Sequence, residues 1–343
     1  MPKTCSDLPQ QEQGASQAGS VRLHLHGPTM GTRWSVSCDA APDQDSGLLH
    51  AALQAAVEQV DSQMSPWKPD SDLMRLNRAP VDAWVELPAE ILQVLARALE
   101  ISRLSAGAFD PAVGALVDAW GFGAVRDTPD AQAIRAARDH PRCPVHHGLE
   151  LELGDLGDLG ELNTGRARKR AHLQLDLCGI AKGYAVDRMV AVLQQHGIGH
   201  ALAALDGELR ALGSQAHEEP WTVALEAPRA GQRAAHGVIE LQDLAVATSG
   251  DYRRFMQLGD ARVAHTMDGR RAAPLHNNVA SVTVLARTCM DADAWATALL
   301  VAGPSEGLAL ARRLELEALW LLRGEGALVE LGLGRFGSAG PGE

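Results

Sequence analysis

Apolar positions along the chain change their spacing several times, and each change predicts an element. Alternation in Val21-Arg22-Leu23-His24-Leu25-His26 predicts a strand. A turn through Gly27-Pro28-Thr29-Met30-Gly31-Thr32 leads to a second alternating stretch, Arg33-Trp34-Ser35-Val36-Ser37. Over residues 47–64 the period becomes helical, with Leu49, Leu53, Val57, Val60 and Met64 on one face. The next segment, MSPWKPDSDLMRLN, is broken up by Pro and Asp. Leu87-Pro88 then leads a second helix whose inner face carries Ile91, Leu95 and Leu99. Residues 107–123, GAFDPAVGALVDAWGFG, are bounded by glycines around a short helical centre, and another helix is expected near 131–138. The local near-repeat GDLGDLGEL is too short to signal a repeat architecture.

The second half turns on residues 175–188, LDLCGIAKGYAVDR. Leu175 and Leu177 predict a short strand that breaks at Gly179. The tight turn Ile180-Ala181-Lys182-Gly183 follows, then a helix from about Tyr184 with Met189 and Leu193 inward and a stop near Gly197. Strands are expected at 201–205 and 209–212 across Asp206-Gly207, and at 221–225, 238–241, 244–248 and 279–285. Helices over 291–301 and 305–314 precede a terminal hairpin of 318–322 with 327–331. Strands and helices come in blocks rather than strict alternation, which predicts an α+β fold with mostly antiparallel sheet. Composition marks residues 1–19 as disordered and the Gly-rich stretch from Gly332 as a mobile tail, leaving one folded domain over 20–331.

Composition narrows the function classes. The chain has 343 residues, 46% of them hydrophobic, enough for a substantial core. A formal net charge of −12 argues against general binding to nucleic acid or anionic membranes but leaves room for a small anion in a local basic pocket. The five cysteines are scattered and lack a CxxC pair, so they read as free thiols. Cys143 with His146 and His147 in PRCPVHHG lacks a fourth ligand at zinc spacing and reads as a polar loop. There is no continuous apolar run of the ~18 residues that a membrane span needs. The first twenty residues lack the apolar segment of a signal peptide, and none precedes Cys5, so the chain as read points to the cytoplasm rather than to a lipid anchor.

Four candidate stretches carry chemistry, each with a plainer alternative. The turn around Lys182 can aim backbone groups and an ammonium at an anion before a helix N-terminus, or be an ordinary strand-to-helix link. Ala247-Thr248-Ser249-Gly250-Asp251-Tyr252 gathers hydroxyls and a carboxylate at a strand end, or is simply a polar turn. His265 in His265-Thr266-Met267-Asp268-Gly269-Arg270 is a candidate general base or a solvated histidine. In Thr288-Cys289-Met290-Asp291-Ala292-Asp293-Ala294-Trp295-Ala296-Thr297, Asp291 is placed to cap a helix. Asp293 and Thr297 share one helical face as hard oxygen ligands suited to Mg²⁺, or Asp293 merely favours the helix dipole while Thr297 packs. Met30-Gly31-Thr32 and Ala108-Phe109-Asp110-Pro111 are weaker points of the same kind.

Taken in order, these stretches resemble the FAD:protein FMN transferase (ApbE) family. The resemblance runs through GPTMGTRWSV, MSPWKPDSDLMRLN, GAFDPAVGALVDAWGFG, LDLCGIAKGYAVD, ALDGELRALG, ATSGDYRRF, HTMDGRR and DADAWATALLVAG, over roughly residues 21–331. It implies an ApbE-like (T-fold-like) catalytic domain with FAD held between its two halves. It also implies an Mg²⁺-dependent enzyme that moves the FMN half of FAD onto a Thr hydroxyl of a target flavoprotein and releases AMP. Carried over residue by residue, Asp293 and Thr297 become metal ligands with the backbone carbonyl of Gly179. Flavin-nucleotide contacts fall to Met30, Trp67, Ala108, Phe109, Asp110, Asp176, Lys182 and the backbone around Thr266. His265 becomes the base that takes the acceptor's proton. Hydrolysis of FAD to FMN and AMP, or flavin carriage without transfer, are the alternatives. Three positions depart from the family pattern: Cys178 for a smaller residue, Asp206-Gly207-Glu208 for a double-glycine turn, and Gly269 for a proline, which is expected to loosen the loop carrying His265. Relatives are often exported and anchored, unlike the expectation for this chain.

Overall fold

The computed structural model describes residues 19–139, 143–154, 164–215, 218–228, 234–252, 254–259, 261–325 and 327–337. Most of residues 1–19, the GDLGDLGEL stretch beyond Gly154, and residues 338–343 lie outside the described residues.

Strands β1 (Val21–Thr29) and β2 (Thr32–Ala40) form the first hairpin, tighter than the sequence suggests. Its two central residues, Met30 (φ 46°) and Gly31 (φ 70°), are both left-handed, as a type I′ connection requires. Helix α1 (Ser46–Met64) starts where the Asp45 carboxylate accepts from the Gly47 and Leu48 amides. It is followed by α2 (Asp72–Arg78), β3 (Val85–Pro88) and α3 (Ala89–Leu104). A 3₁₀ turn (Pro111–Val113) continues into α4 (Gly114–Ala119), and α5 (Ala131–Asp139) and the short α6 (Val145–Gly148) come next. Residues 145–148, expected as loop, are therefore helical.

Strands β4 (Leu149–Leu153) and β5 (Thr164–Lys169) join β3 in a three-stranded sheet. Beyond them come α7 (Ala181–Gln195), β6 (Ala201–Leu205), β7 (Glu208–Leu212), β8 (Trp221–Glu226), β9 (Ala235–Leu241) and β10 (Ala245–Gly250). Two small hairpins, β11 (Phe255–Leu258) with β12 (Ala261–Ala264) and β13 (Met267–Asp268) with β14 (Ala273–Pro274), precede β15 (Val279–Ala286). Helix α8 (Cys289–Arg313) and the hairpin of β16 (Glu317–Arg323) and β17 (Leu328–Leu333) complete the fold.

The main sheet has eight strands in the order β1-β2-β6-β7-β10-β15-β16-β17, and every pairing among the described residues is antiparallel, as an α+β reading predicts. Period-two alternation divides its side chains between two cores. Trp34, Val36, Ala203, Leu205, Ala247, Val282, Val284 and Trp320 face α1, α7 and α8. Ala211, Val246, Leu285, Leu319 and Leu321 face the other way, where the β8–β9 hairpin covers them with Trp221, Val223 and Leu225.

Helix α8 combines the two helices expected there. Gly303 (φ 75°) breaks it and Pro304 restarts it. Asp291 does not cap it. The Thr288 hydroxyl accepts from the Asp291 amide, and Asp187 of α7 takes the Cys289 and Met290 amides at 2.9 Å each, while the Asp291 carboxylate pairs with Arg97 at 2.6 Å. By length and hydropathy α8 could cross a membrane, but it is mostly buried and packs on β10 and β15 as a core helix. The tail expected from Gly332 is in part ordered: β17 reaches Leu333, a 3₁₀ turn follows at Gly334–Phe336, and the Glu317 carboxylate accepts from the Arg335 amide.

Candidate active site

The segment before α7 is extended but joins no sheet. Asn77 of α2 takes the place of a neighbouring strand, its side chain accepting from the Leu175 amide at 2.8 Å and donating to the Leu175 carbonyl at 2.9 Å. The Asp176 amide donates to the Pro111 carbonyl. The strand expected at Leu175 and Leu177 is thus replaced by side-chain and loop partners. The Asp176 carboxylate accepts from the Cys178 amide at 2.7 Å, which turns the chain into α7 at Ala181, three residues before the expected start.

This turn forms one wall of a cavity of about 1050 Å³, at the upper end of the ~300–1,000 Å³ usual for small-molecule sites and suited to a dinucleotide. The cavity brings together every site residue expected from the sequence: Met30, Trp67, Ala108, Phe109, Asp110, Asp176, Gly179, Lys182, His265, Thr266, Asp293 and Thr297. Met30 enters from the β1–β2 turn and Trp67, 48% exposed, from beyond α1. Asp110 and Phe109 come from the loop after α3, where Phe109 packs against Gly179. The Thr266 carbonyl is engaged by the Leu275 amide at 2.9 Å.

Asp293 sits at the buried end of the cavity, 4% exposed, and accepts from the Gly183 amide at 3.1 Å. Burial, helped by the charge of Glu208 and opposed by Lys182, pushes its carboxyl up to about 7. One turn further, Thr297 Oγ1 shares a 2.9 Å hydrogen bond with Ser249 Oγ and lies beside Gly179, where an added Cβ would come within 3.2 Å of it. A carboxylate, a hydroxyl and the Gly179 carbonyl are hard oxygen donors, and the Asp293 carboxylate lies in a wall short of positive charge. That donor chemistry fits Mg²⁺. Cys143, His146 and His147 offer no comparable set; among the described residues no group of three or more His, Cys, Asp or Glu is arranged to hold a metal.

Lys182 Nζ donates to Glu208 Oε1 at 2.6 Å and lies 3.9 Å from Asp206. Burial works against its charge, but Glu208 and Asp293 outweigh this and raise its pKa. Glu208 is raised in turn by burial, partly offset by Lys182. Sequence reading gave Glu208, Ser249 and Arg254 no individual role. For Glu208 the available signal is an acid opening strand β7, beside Asp206 (φ 55°) in the turn.

His265 follows β12, and its Nδ1 lies 2.9 Å from the Arg254 carbonyl oxygen. A carbonyl can only accept, so Nδ1 carries the proton and Nε2 is the basic nitrogen. Burial lowers the pKa of the ring, the Arg254 carbonyl opposes this, and the charges of Arg254 and Lys182 lower it further. Phe122 packs edge-on against the imidazole at 6.3 Å between centroids.

The model of the ApbE family matches residues 30–320. The chain belongs to the ApbE family. It is 34% identical over 320 residues to an FAD:protein FMN transferase of Vibrio cholerae, covering 92% of each chain. It is 32% identical over 321 residues to one of Klebsiella pneumoniae, covering 91% of this chain and 87% of that one. Among solved structures, flavin transferase ApbE from Vibrio cholerae superposes with a TM-score of 0.81 at 33% identity, covering 92% of this chain and 98% of the other. Apo flavinyl transferase ApbE from Pseudomonas stutzeri gives 0.79 at 32% identity, covering 93% and 96%.

The departure from the ApbE pattern at Gly269 has a packing counterpart. A Cβ there would lie 2.3 Å from Asp110 Oδ2 and 3.0 Å from Asp110 Cβ, so a larger residue requires the Asp110 side chain to shift. The loosening expected of a glycine is countered by Asp268, 3% exposed, which accepts from the Arg270 amide, and by Arg270, which reaches Glu306 on α8 at 2.6 Å.

Proposed function

We propose that the chain transfers the FMN half of FAD onto a Thr hydroxyl of a target flavoprotein and releases AMP. The observation that carries this reading is His265. Its Nδ1 proton is fixed on the Arg254 carbonyl, and the ring lines the same cavity as Lys182, Asp293 and Thr297. In the reaction the acceptor oxygen forms a bond to the FMN phosphorus. The bond from that phosphorus to the bridging oxygen breaks, AMP leaves with the electron pair, and the hydroxyl proton passes to His265 Nε2.

The remaining residues bind and orient. Trp67, 48% exposed at the cavity wall, offers a flat apolar face to a ring system, and Met30 and Phe109 supply further apolar wall. Asp293, Thr297 and the Gly179 carbonyl would hold Mg²⁺, whose chemistry is to neutralise charge on the pyrophosphate. Ser249, through its bond to Thr297 Oγ1, fixes the rotamer of that hydroxyl. The relatives of Vibrio cholerae and Klebsiella pneumoniae are FAD:protein FMN transferases, which supports the same reaction. The test is chromatography of AMP released from FAD with and without an acceptor flavoprotein. Release that depends on the acceptor and stops with EDTA supports transfer. Equal release without acceptor replaces transfer by hydrolysis, and intact FAD contradicts both.

A further inference from the structure

Resting on the reading that FAD is the substrate, we propose that the cavity admits the FAD pyrophosphate only together with a divalent cation, and that Glu208 imposes this requirement. Glu208 opens β7 with its side chain 4% exposed. One oxygen, Oε1, accepts from Lys182 Nζ at 2.6 Å. The other, Oε2, is enclosed in the cavity wall with no hydrogen-bond partner among the described residues. A buried carboxylate oxygen left unsatisfied is costly, and such groups in folded proteins ordinarily find a partner.

The pairing changes what Lys182 can do. Its ammonium, which would otherwise meet an incoming phosphate, already carries a buried counter-charge. Among the described residues, the cavity wall presents seven Asp and Glu side chains against Lys68, Lys182 and Arg254. A pyrophosphate is itself anionic, and like charges repel strongly where water is partly excluded. FAD alone therefore meets a wall of its own sign. Asp206 is 40% exposed and screened by solvent, and Asp293 is assigned to the cation, so Glu208 is the carboxylate that decides the charge beside Lys182.

Glu208→Gln separates this from a structural role. The amide oxygen keeps the hydrogen bond to Lys182 while the charge is lost. Two equilibria are measured on the full chain: Mn²⁺ alone, by the EPR signal of free ion, and FAD, by flavin fluorescence in EDTA and in Mn²⁺. Wild type is expected to bind FAD far more weakly in EDTA. In Glu208→Gln, Mn²⁺ affinity is expected to fall about 10–100-fold while affinity for FAD in EDTA rises. Lys182→Gln should shift both affinities the opposite way, which keeps the test open should Glu208→Gln not fold. Equal FAD affinity with and without Mn²⁺ in wild type, or variants in which both affinities move together or stay put, overturns the proposal. Wild type binding no FAD under either condition overturns the substrate assignment as well.

Discussion

At the residue scale, the imidazole of His265 has one nitrogen engaged by the Arg254 carbonyl, so a proton removed from a hydroxyl can go only to the other. Replacing His265 with Ala should slow transfer by ~10²–10⁴-fold, the usual worth of a positioned base, and leave FAD binding nearly intact. Stopped-flow transfer rates beside a fluorescence titration would separate the two effects; full transfer by the variant removes His265 from the mechanism. Burial and nearby cations hold the imidazolium below its ordinary value of 6.5, so the ring is neutral and basic at neutral pH. Measured at saturating Mg²⁺, so that the cation keeps the Asp293 carboxylate ionised, activity should therefore persist below pH 6.5 and fall as acid titrates the lowered group. An acid limb in kcat/KM centred above 6.5 would contradict this. His265, Asp293 and Thr297 each had a plainer reading within their own short stretches, and only the order of the motifs, resembling the ApbE family, singled them out. Glu208 was not, because its meaning depends on Lys182, 26 residues away.

At the element scale, helix and strand periods gave most of the elements, and the differences arise where a distant partner intervenes. Leu175 and Leu177 alternate like a strand, yet Asn77 supplies the bonds a neighbouring strand would have made. Asp291 looks like a cap, yet Thr288 and Asp187 reach the free amides first. The contact of α7 with α8 is the tightest of these long-range constraints. A Cβ on Gly183 would fall 2.2 Å from the Cys289 carbonyl oxygen and 2.8 Å from Met290 Cα, both backbone atoms with little room to yield. Gly→Ala inside a helix normally gains up to ~1 kcal/mol, but overpacking costs ~1–3 kcal/mol or more. Gly183→Ala should therefore lower the urea midpoint and, because the Gly183 amide donates to Asp293, weaken cation binding too. An unchanged or higher midpoint would show that the two helices separate easily.

At the scale of the whole molecule, the cavity draws on residues from Met30 to Thr297, and no single sheet or hairpin contains it. One buried core links β2, α1, α3, α7, β10, α8 and β16, so the walls are held by packing remote from the chemistry. The order of the motifs made the family readable, and the blocks of strands and helices made the mostly antiparallel α+β fold readable. The sequence did not disclose the depth of the cavity, its excess of carboxylates or the fit of Gly269 against Asp110, since these exist only once distant segments meet. The central claim is that this cavity joins FMN to a protein hydroxyl. Its most direct test is the intact mass of an acceptor flavoprotein domain after incubation with the chain, FAD and Mg²⁺. The account predicts a gain equal to one FMN phosphoester, absent with EDTA and absent when the acceptor Thr is replaced by Val. An acceptor of unchanged mass while FAD is consumed would contradict it.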